Sequence, residues 1–315
     1  MPSDQLSATH FVAPVKNTEI TVDAVRIDAK PSNLWRDAWR DIRSRPTFWV
    51  TAVVVFVIVL MAVWPTLFTQ VPPNNNCLLA NSNGGPTSGH PLGFTFQGCD
   101  IWSRLVWGAR TSLMVGFLAT LIGTVIGVVM GALAGFYGGW LDSVLSRLGD
   151  IFFAIPYILA AIVVMSVFSQ NRTPLVLAFA IGGFAWASTA RVIRAEVLRV
   201  RQADFVTASR AIGLSRFRTL LTHVMPNAMA PVIVVATLTL GAAISAEATL
   251  SFLGVGLGSS TMSWGLDISQ AQSSLRVAPM ALIYPSIALT VTVLAFIILG
   301  ELLRDALDPK ARARR

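Results

Sequence analysis

The chain has 315 residues with 54% hydrophobic and only 13% charged, and its 24 Lys+Arg outnumber 16 Asp+Glu for a net charge of +8. A soluble domain carries about twice that charged fraction, so composition excludes an ordinary soluble enzyme or binding module. The positive balance must then be read along the chain, as a signal of membrane topology.

Residues before Pro31 show no periodic pattern and read as a flexible tail. Next, "NLWRDAWRDIRSRP" puts Trp35, Ala38, Trp39 and Ile42 on one helical face and arginines and aspartates on the other. Such a helix suits the headgroup layer, with aromatic anchors and snorkelling arginines. The alternative is a helix packed on a soluble partner.

Charge-free stretches then locate the spans, each expected to supply the roughly 20 apolar residues that cross the hydrocarbon core. They are Pro46–Cys99 (apolar only in its first part), Thr111–Leu141, Ile151–Asn171, Thr173–Ala190, Val224–Ala246 and Val277–Gly300. The first hydrophobic run begins near Thr47 and is long enough to span, so no cleavable signal peptide is expected. Cys77 and Cys99 share the loop after it. An oxidising compartment permits a disulfide there, and two unrelated thiols are the alternative. The second span holds Gly123, Gly127, Gly131 and Gly135, one every fourth residue. That spacing makes a slowly slanting strip of bare backbone against which another helix packs closely; packing within this chain is preferred to self-dimerisation. Pro156 predicts a kink and Pro174 a span start. Asp150 and Arg147, three apart, are expected to pair locally.

Between the fourth and fifth spans, Phe205, Ala208, Ser209 and Ile212 recur at helical spacing, with Asp204 placed to cap the helix and Gly213 to close it. The pattern restarts after Ser215 with Phe217, Leu220, Leu221 and Val224, leading into a span at Pro226. Two short amphipathic helices about a glycine bend make a docking element for a partner protein. A nucleic-acid reading is disfavoured, because spans tie both ends and the arginines serve topology. Glu247, directly after the fifth stretch, is either a gate residue or a hydrogen-bonded structural carboxylate.

Lys and Arg concentrate in the leading segment (Lys16 to Arg45), in the loop Arg191–Arg218 and in the tail (Arg304 to Arg315), whereas the opposite loops offer little beyond Arg104, Arg172 and Arg276. With six spans in the bilayer, the basic segments and both termini face the cytoplasm. The expected partition is a tail and interfacial helix over 1–46, a six-span unit over 47–304, and a basic tail over 305–315. Outside loops fall at 70–103 and 251–276, and the cytoplasmic coupling loop at 191–223. Lys16, Lys30 and Lys310 never follow a glycine, so no phosphate-cradling loop exists. His10, His90 and His223 lie far apart in sequence, without ligand or triad spacing. No catalytic, cofactor or metal residues are expected. A secondary transporter would need coupling carboxylates and an inverted repeat, and neither stands out.

"FVTASRAIGLSRFRTLLTHVMPNAMAP" resembles the EAA loop of ABC-importer permeases, of general form E-A-A-x3-G-x9-I-x-L-P. Thr207, Ala208 and Ser209 stand for E-A-A, Gly213 keeps the glycine, His223 replaces the isoleucine, and Met225–Pro226 stands for Leu-Pro. The histidine before Pro-Asn-Ala is similar to the dipeptide/oligopeptide/nickel branch. "HPLG" at His90, "GGWLD" at Gly138, "AEATLSFLG" at Ala246 and "LRDALDP" at Leu303 resemble its C-type permease. "GFTFQGCD" at Gly93 departs from the more acidic family segment ending Gly-Arg-Asp. The resemblance implies an all-α type I importer permease fold of six spans. It further implies a coupling helix formed by Asp204, Phe205, Thr207, Ala208, Ser209, Arg210, Ala211, Ile212, Gly213 and Leu214. The implied partners are a second homologous permease in a heterodimer, two cytoplasmic ATPases carrying ATP and Mg, and an extracytoplasmic solute-binding protein, in a bacterial inner membrane. Peptide cargo follows from the resemblance alone, with nickel or another small solute as the alternative.

Overall fold

The computed structural model describes residues 34–74, 77–258 and 261–307. The expected flexible tail before Pro31, most of the basic tail, and the side chain of Trp35 lie outside the described residues.

α1 (Leu34–Arg43) leads into α2 (Pro46–Val63), whose proline sits where a helix needs no donor. A hairpin-like loop follows, and α3 (Ile101–Tyr137) begins where the Asp100 carboxylate accepts the Ser103 N–H at 2.8 Å. Its 37 residues extend about 55 Å at 1.5 Å each, well beyond a hydrocarbon core of about 30 Å. Gly138, at φ 69°, ends it and turns the chain into α4 (Gly139–Ala154). α5 (Tyr157–Val167) and α6 (Pro174–Arg201) come next, the latter capped by Thr173.

α7 (Asp204–Ala211) and α8 (Arg216–Thr219) precede α9 (Met225–Phe252). A π turn over Leu220–Val224 joins α8 to α9, so the helix runs on from Arg216 to Phe252. The expected second short helix is therefore the base of the fifth span. Pro226 has no N–H to give and its ring crowds the carbonyl four residues back; widening the preceding turn relieves both problems. α10 (Trp264–Ala271) and α11 (Met280–Leu307) complete the chain.

Among the described residues, five helices are long and apolar enough to span: α2, α3, α6, the α8–α9 rod and α11. α4 and α5 form a sixth span only as a pair, bent by 81°. The third stretch, Ile151–Asn171, is thus no straight helix. Ile155 must be extended because the residue before a proline avoids helical geometry, and Pro156 restarts the helix. Charge-free boundaries also fall short of the helix ends. α3 contains Arg104 and Arg110, and α6 continues through Arg191, Arg194, Arg199 and Arg201. The first part of the expected 191–223 loop is therefore helix, as are the ends of the fifth and sixth stretches.

α3 and α6 form the central pair. Val115, Ala119, Leu177, Ile181, Ala243 and Leu250 bury together where α3, α6 and α9 meet. At the end carrying both described termini, Ala38 and Ile42 of α1 pack with Val234, Ala306 and Leu307. The apolar face of α1 is partly spent on its own bundle, while Trp39 remains half exposed beside Phe48.

Candidate functional site

α7 hangs from the bundle by its inner side. Val206 is fully buried with Phe136, Val197, Val200, Leu220 and Val224, and the Ser209 hydroxyl donates to the Val206 carbonyl at 2.7 Å. Arg210 lies 5.2 Å above the Phe136 ring, a cation–π distance. Arg201 donates to the carbonyls of Gly135 and Phe136 at 3.2 and 3.1 Å, covering orphan acceptors at the end of α3. Ala203 caps α7 without a side-chain bond; Asp204, expected as the cap, lies in the first turn, where its charge favours the helix dipole.

At the other end, Leu214 N–H donates to Ser209 and Gly213 N–H to Arg210, closing the helix in a Schellman arrangement with Gly213 at φ 88°. Ser215 caps the next turn through the Arg218 N–H.

The stripe expected on one face divides. Ser209 points inward with Val206, which sequence spacing missed, while Phe205 and Ile212 are 46% and 78% exposed, and Thr207, Ala208 and Ala211 are exposed beside them. Phe217 and Leu221 continue this outward apolar strip, whereas Leu220 and Val224, expected on the same face, are buried. Periodicity identifies stripes, but not which stripe meets the core.

The glycine strip faces α6. A side chain on Gly123 would meet the Gly182 carbonyl oxygen, one on Gly127 the Thr189 side chain and Trp186 carbonyl, one on Gly131 the Ala190 carbonyl, and one on Gly135 the Arg194 carbonyl. α6 answers with Gly182, pressed on Ala119. Ion pairs fasten the bent element to α6: Asp142 with Arg194, and Asp150 with Arg191 at 3.0 Å. Asp150 therefore pairs across helices, not with Arg147, because α4 turns that edge toward α6.

Glu247 lies inside α9, not beyond its end, and is fully buried. Its carboxylate accepts the hydroxyls of Ser112 at 3.0 Å and Ser251 at 2.9 Å, and Ser112 in turn accepts the Trp264 N–H at 3.2 Å. The group joins α3, α9 and α10. Nearby, Arg104, expected as a loop charge, is buried against Asp267, with Nε 2.9 Å from Oδ1. Burial pushes the Asp267 carboxyl above the ordinary aspartate range, and the Arg104 charge opposes the shift. Sequence reading missed this pair because its members stand 163 residues apart.

In the preceding loop Cys77 and Cys99 are joined by a disulfide, and His90 Nδ1 lies 3.2 Å from Asp100.

Residues 123–313 match the family model described as binding-protein-dependent transport system inner membrane component. Residues 33–86 match the N-terminal TM domain of oligopeptide transport permease C. The chain belongs to this permease family. Similar relatives include the glutathione transport system permease protein GsiD of Escherichia coli O6:K15:H31 (strain 536 / UPEC) and of Shigella boydii serotype 4 (strain Sb227). Each is 36% identical over 278 residues, covering 88% of this chain and 91% of the relative. The fold is similar to chains in two inward-facing structures of the MetNI methionine ABC transporter. Their TM-scores are 0.53 and 0.51 at 22% and 19% identity, covering 64% of this chain and 96% of each. The protein is thus a membrane-spanning permease subunit of an ABC importer, a transport component.

Proposed function

We propose that this permease carries peptides into a bacterial cell as half of a two-permease pathway, driven by ATPases that grip α7. The observation that carries the coupling role is the division of α7: Val206 and Ser209 bind it to the ends of α3 and α6, while Phe205, Ala208 and Ile212 stay uncovered. A short helix anchored on one side and apolar on the other suits a groove in a partner, and its anchorage ties any push on it to the central helix pair. In this reading residues 204–214 form the docking element, and the flanking arginines favour the cytoplasmic side for it and for both termini.

Peptide cargo is the reading favoured by the oligopeptide-permease match over residues 33–86 and by relatives named for glutathione, itself a small peptide. The partners are a second homologous permease, two ATPases holding ATP and Mg, and an extracytoplasmic binding protein. In this reading residues 1–46 are the cytoplasmic tail and surface helix, 47–304 the pathway-forming unit, and 305–315 the basic tail. The glycine strip serves packing between α3 and α6.

Gly213 provides the test. Nothing lies within 4 Å of a side chain built there, so only backbone conformation resists substitution. Asparagine tolerates the left-handed region and valine does not. Gly213→Asn should retain co-purification of the ATPases and peptide-stimulated ATP hydrolysis in vesicles. Gly213→Val should lose most of both while still reaching the membrane. Equal, normal values for Val and Asn would remove α7 from the docking role.

A further inference from the structure

A cavity of about 180 Å³ lies at the bundle end opposite α7, between the disulfide-closed loop, the start of α3, α10 and the start of α11. Its polar wall contains Arg104, Asp267, Gln270 and Gln97, and Phe96 and Pro285 belong to its apolar wall. The two charges are not equally satisfied. Arg104 directs Nε and Nη2 to one carboxylate oxygen of Asp267, and Nη1 to Asn74 Oδ1 at 2.8 Å. Asp267 Oδ2 accepts no hydrogen bond among the described residues, although the side chain is only 9% exposed. Gln270 Oε1 stands 3.5 Å from Arg104 Nη2, a marginal contact that leaves it able to accept another donor. What the cavity offers a visitor is therefore a set of acceptors, the Asp267 carboxyl among them, held in place by a guanidinium that spends three of its five N–H groups on Asp267 and Asn74.

We infer that this cavity is a cargo subsite that receives the ammonium group of a peptide's amino-terminal residue. Both Arg104 bonds fall on Oδ1, which leaves Oδ2 open to a donor among the described residues, and an ammonium with three donors fits Oδ2 and the neighbouring amide oxygens. The apolar wall accommodates the first side chain, and the volume suits one residue, not a whole peptide. Arg104 is a positioning residue: it holds Asp267 through Oδ1 and leaves Oδ2 unengaged by the guanidinium. The disulfide has a role in the same site, because Thr95, Phe96 and Gln97 form its rim just before Cys99. The subsite rests on the peptide reading and adds to it a basis for selecting free amino termini.

The test uses the complete transporter in vesicles, with its ATPases and binding protein. Uptake of a lysine-free tripeptide is compared with that of its N-acetylated form, each supplied above its measured affinity for the binding protein. Because that protein is common to every sample, a change in the uptake ratio between permease variants belongs to the permease. Asp267→Asn should lower the preference for the free amine about tenfold, the size of one charge-assisted hydrogen bond. Should that variant fail to assemble, Gln270→Leu keeps the Arg104–Asp267 pair and should lower the ratio severalfold. An unchanged ratio in an assembled, importing complex overturns the subsite and leaves the peptide reading intact. Uptake of neither peptide by the wild type overturns both.

Discussion

A carboxylate such as Glu247 is buried only where donors replace the water it leaves, and the Ser112 and Ser251 hydroxyls supply them from α3 and α9. Glu247→Gln keeps one of the two acceptor oxygens and replaces the other with an NH2 that a serine oxygen can accept, so it should cost less than alanine. Glu247→Ala removes the acceptor for both hydroxyls and leaves a void, at a cost of roughly 2–4 kcal/mol. Thermal unfolding of the purified permease should place the alanine variant well below both others; equal midpoints for Ala and Gln would mean the hydroxyls find other acceptors. Single residues were legible in the sequence where the cue was local. Gly213 follows the last periodic position of a helix, and Ser215 precedes the next. Arg104 and Val206 were not legible. The partner of Arg104 is Asp267, on another helix, and Val206 lies off the stripe that spacing favours, so its burial depends on Phe136 and Val197 from two other helices.

Helix pairing follows a similar division. Four glycines spaced by four marked one edge of α3 as a packing surface, but nothing local names α6 as its partner, because Gly182 answers from a different span. The collision partners rank the positions. A side chain on Gly131 runs into the Ala190 carbonyl, which is backbone and cannot rotate away, whereas one on Gly123 stops 3.2 Å from the Gly182 carbonyl oxygen. Gly131→Ala should therefore destabilise the α3–α6 pair by about 1–3 kcal/mol, with Gly123→Ala milder. Gly85→Ala serves as control, since nothing lies within 4 Å of its new methyl. Monodisperse yield and unfolding temperature in detergent should fall in the order Gly131, Gly123, Gly85. A pore-facing strip would give assembled protein from all three and a changed cargo preference. The 81° bend between α4 and α5 was half legible: Pro156 predicted a kink, but its angle depends on Asp142 and Asp150 reaching Arg194 and Arg191 of α6.

At the scale of the whole molecule, the two ends of the bundle differ in kind. One end gathers α1, the close of α3, α7 and the close of α11, fastened by the Arg45 guanidinium to Asp41 at 2.7 Å and Asp305 at 3.1 Å. The other carries the disulfide-closed loop, α10 and the Arg104–Asp267 pair. The count of five straight spans and a sixth bent one among the described residues was largely readable from charge-free runs, because lipid imposes a length rule on every segment alike; their direction is an expectation from arginine placement. The packing of α1 on the bundle was not readable, since an amphipathic face looks the same whether it meets headgroups or helices. Orientation decides whether α7 can meet cytoplasmic ATPases, so it is the prediction with the widest reach. Ser88 and Gln202 are exposed at opposite ends, and the native cysteines are occupied by their disulfide, leaving a single free thiol in Ser88→Cys or Gln202→Cys. On cells with a permeabilised outer membrane, a membrane-impermeant maleimide should label Ser88→Cys directly and Gln202→Cys only after the inner membrane is broken. The wild type should stay unlabelled without reductant. The reverse pattern would turn the molecule over and place Phe205 and Ile212 on the side without ATP, ending the coupling role of α7 even if peptide uptake survived.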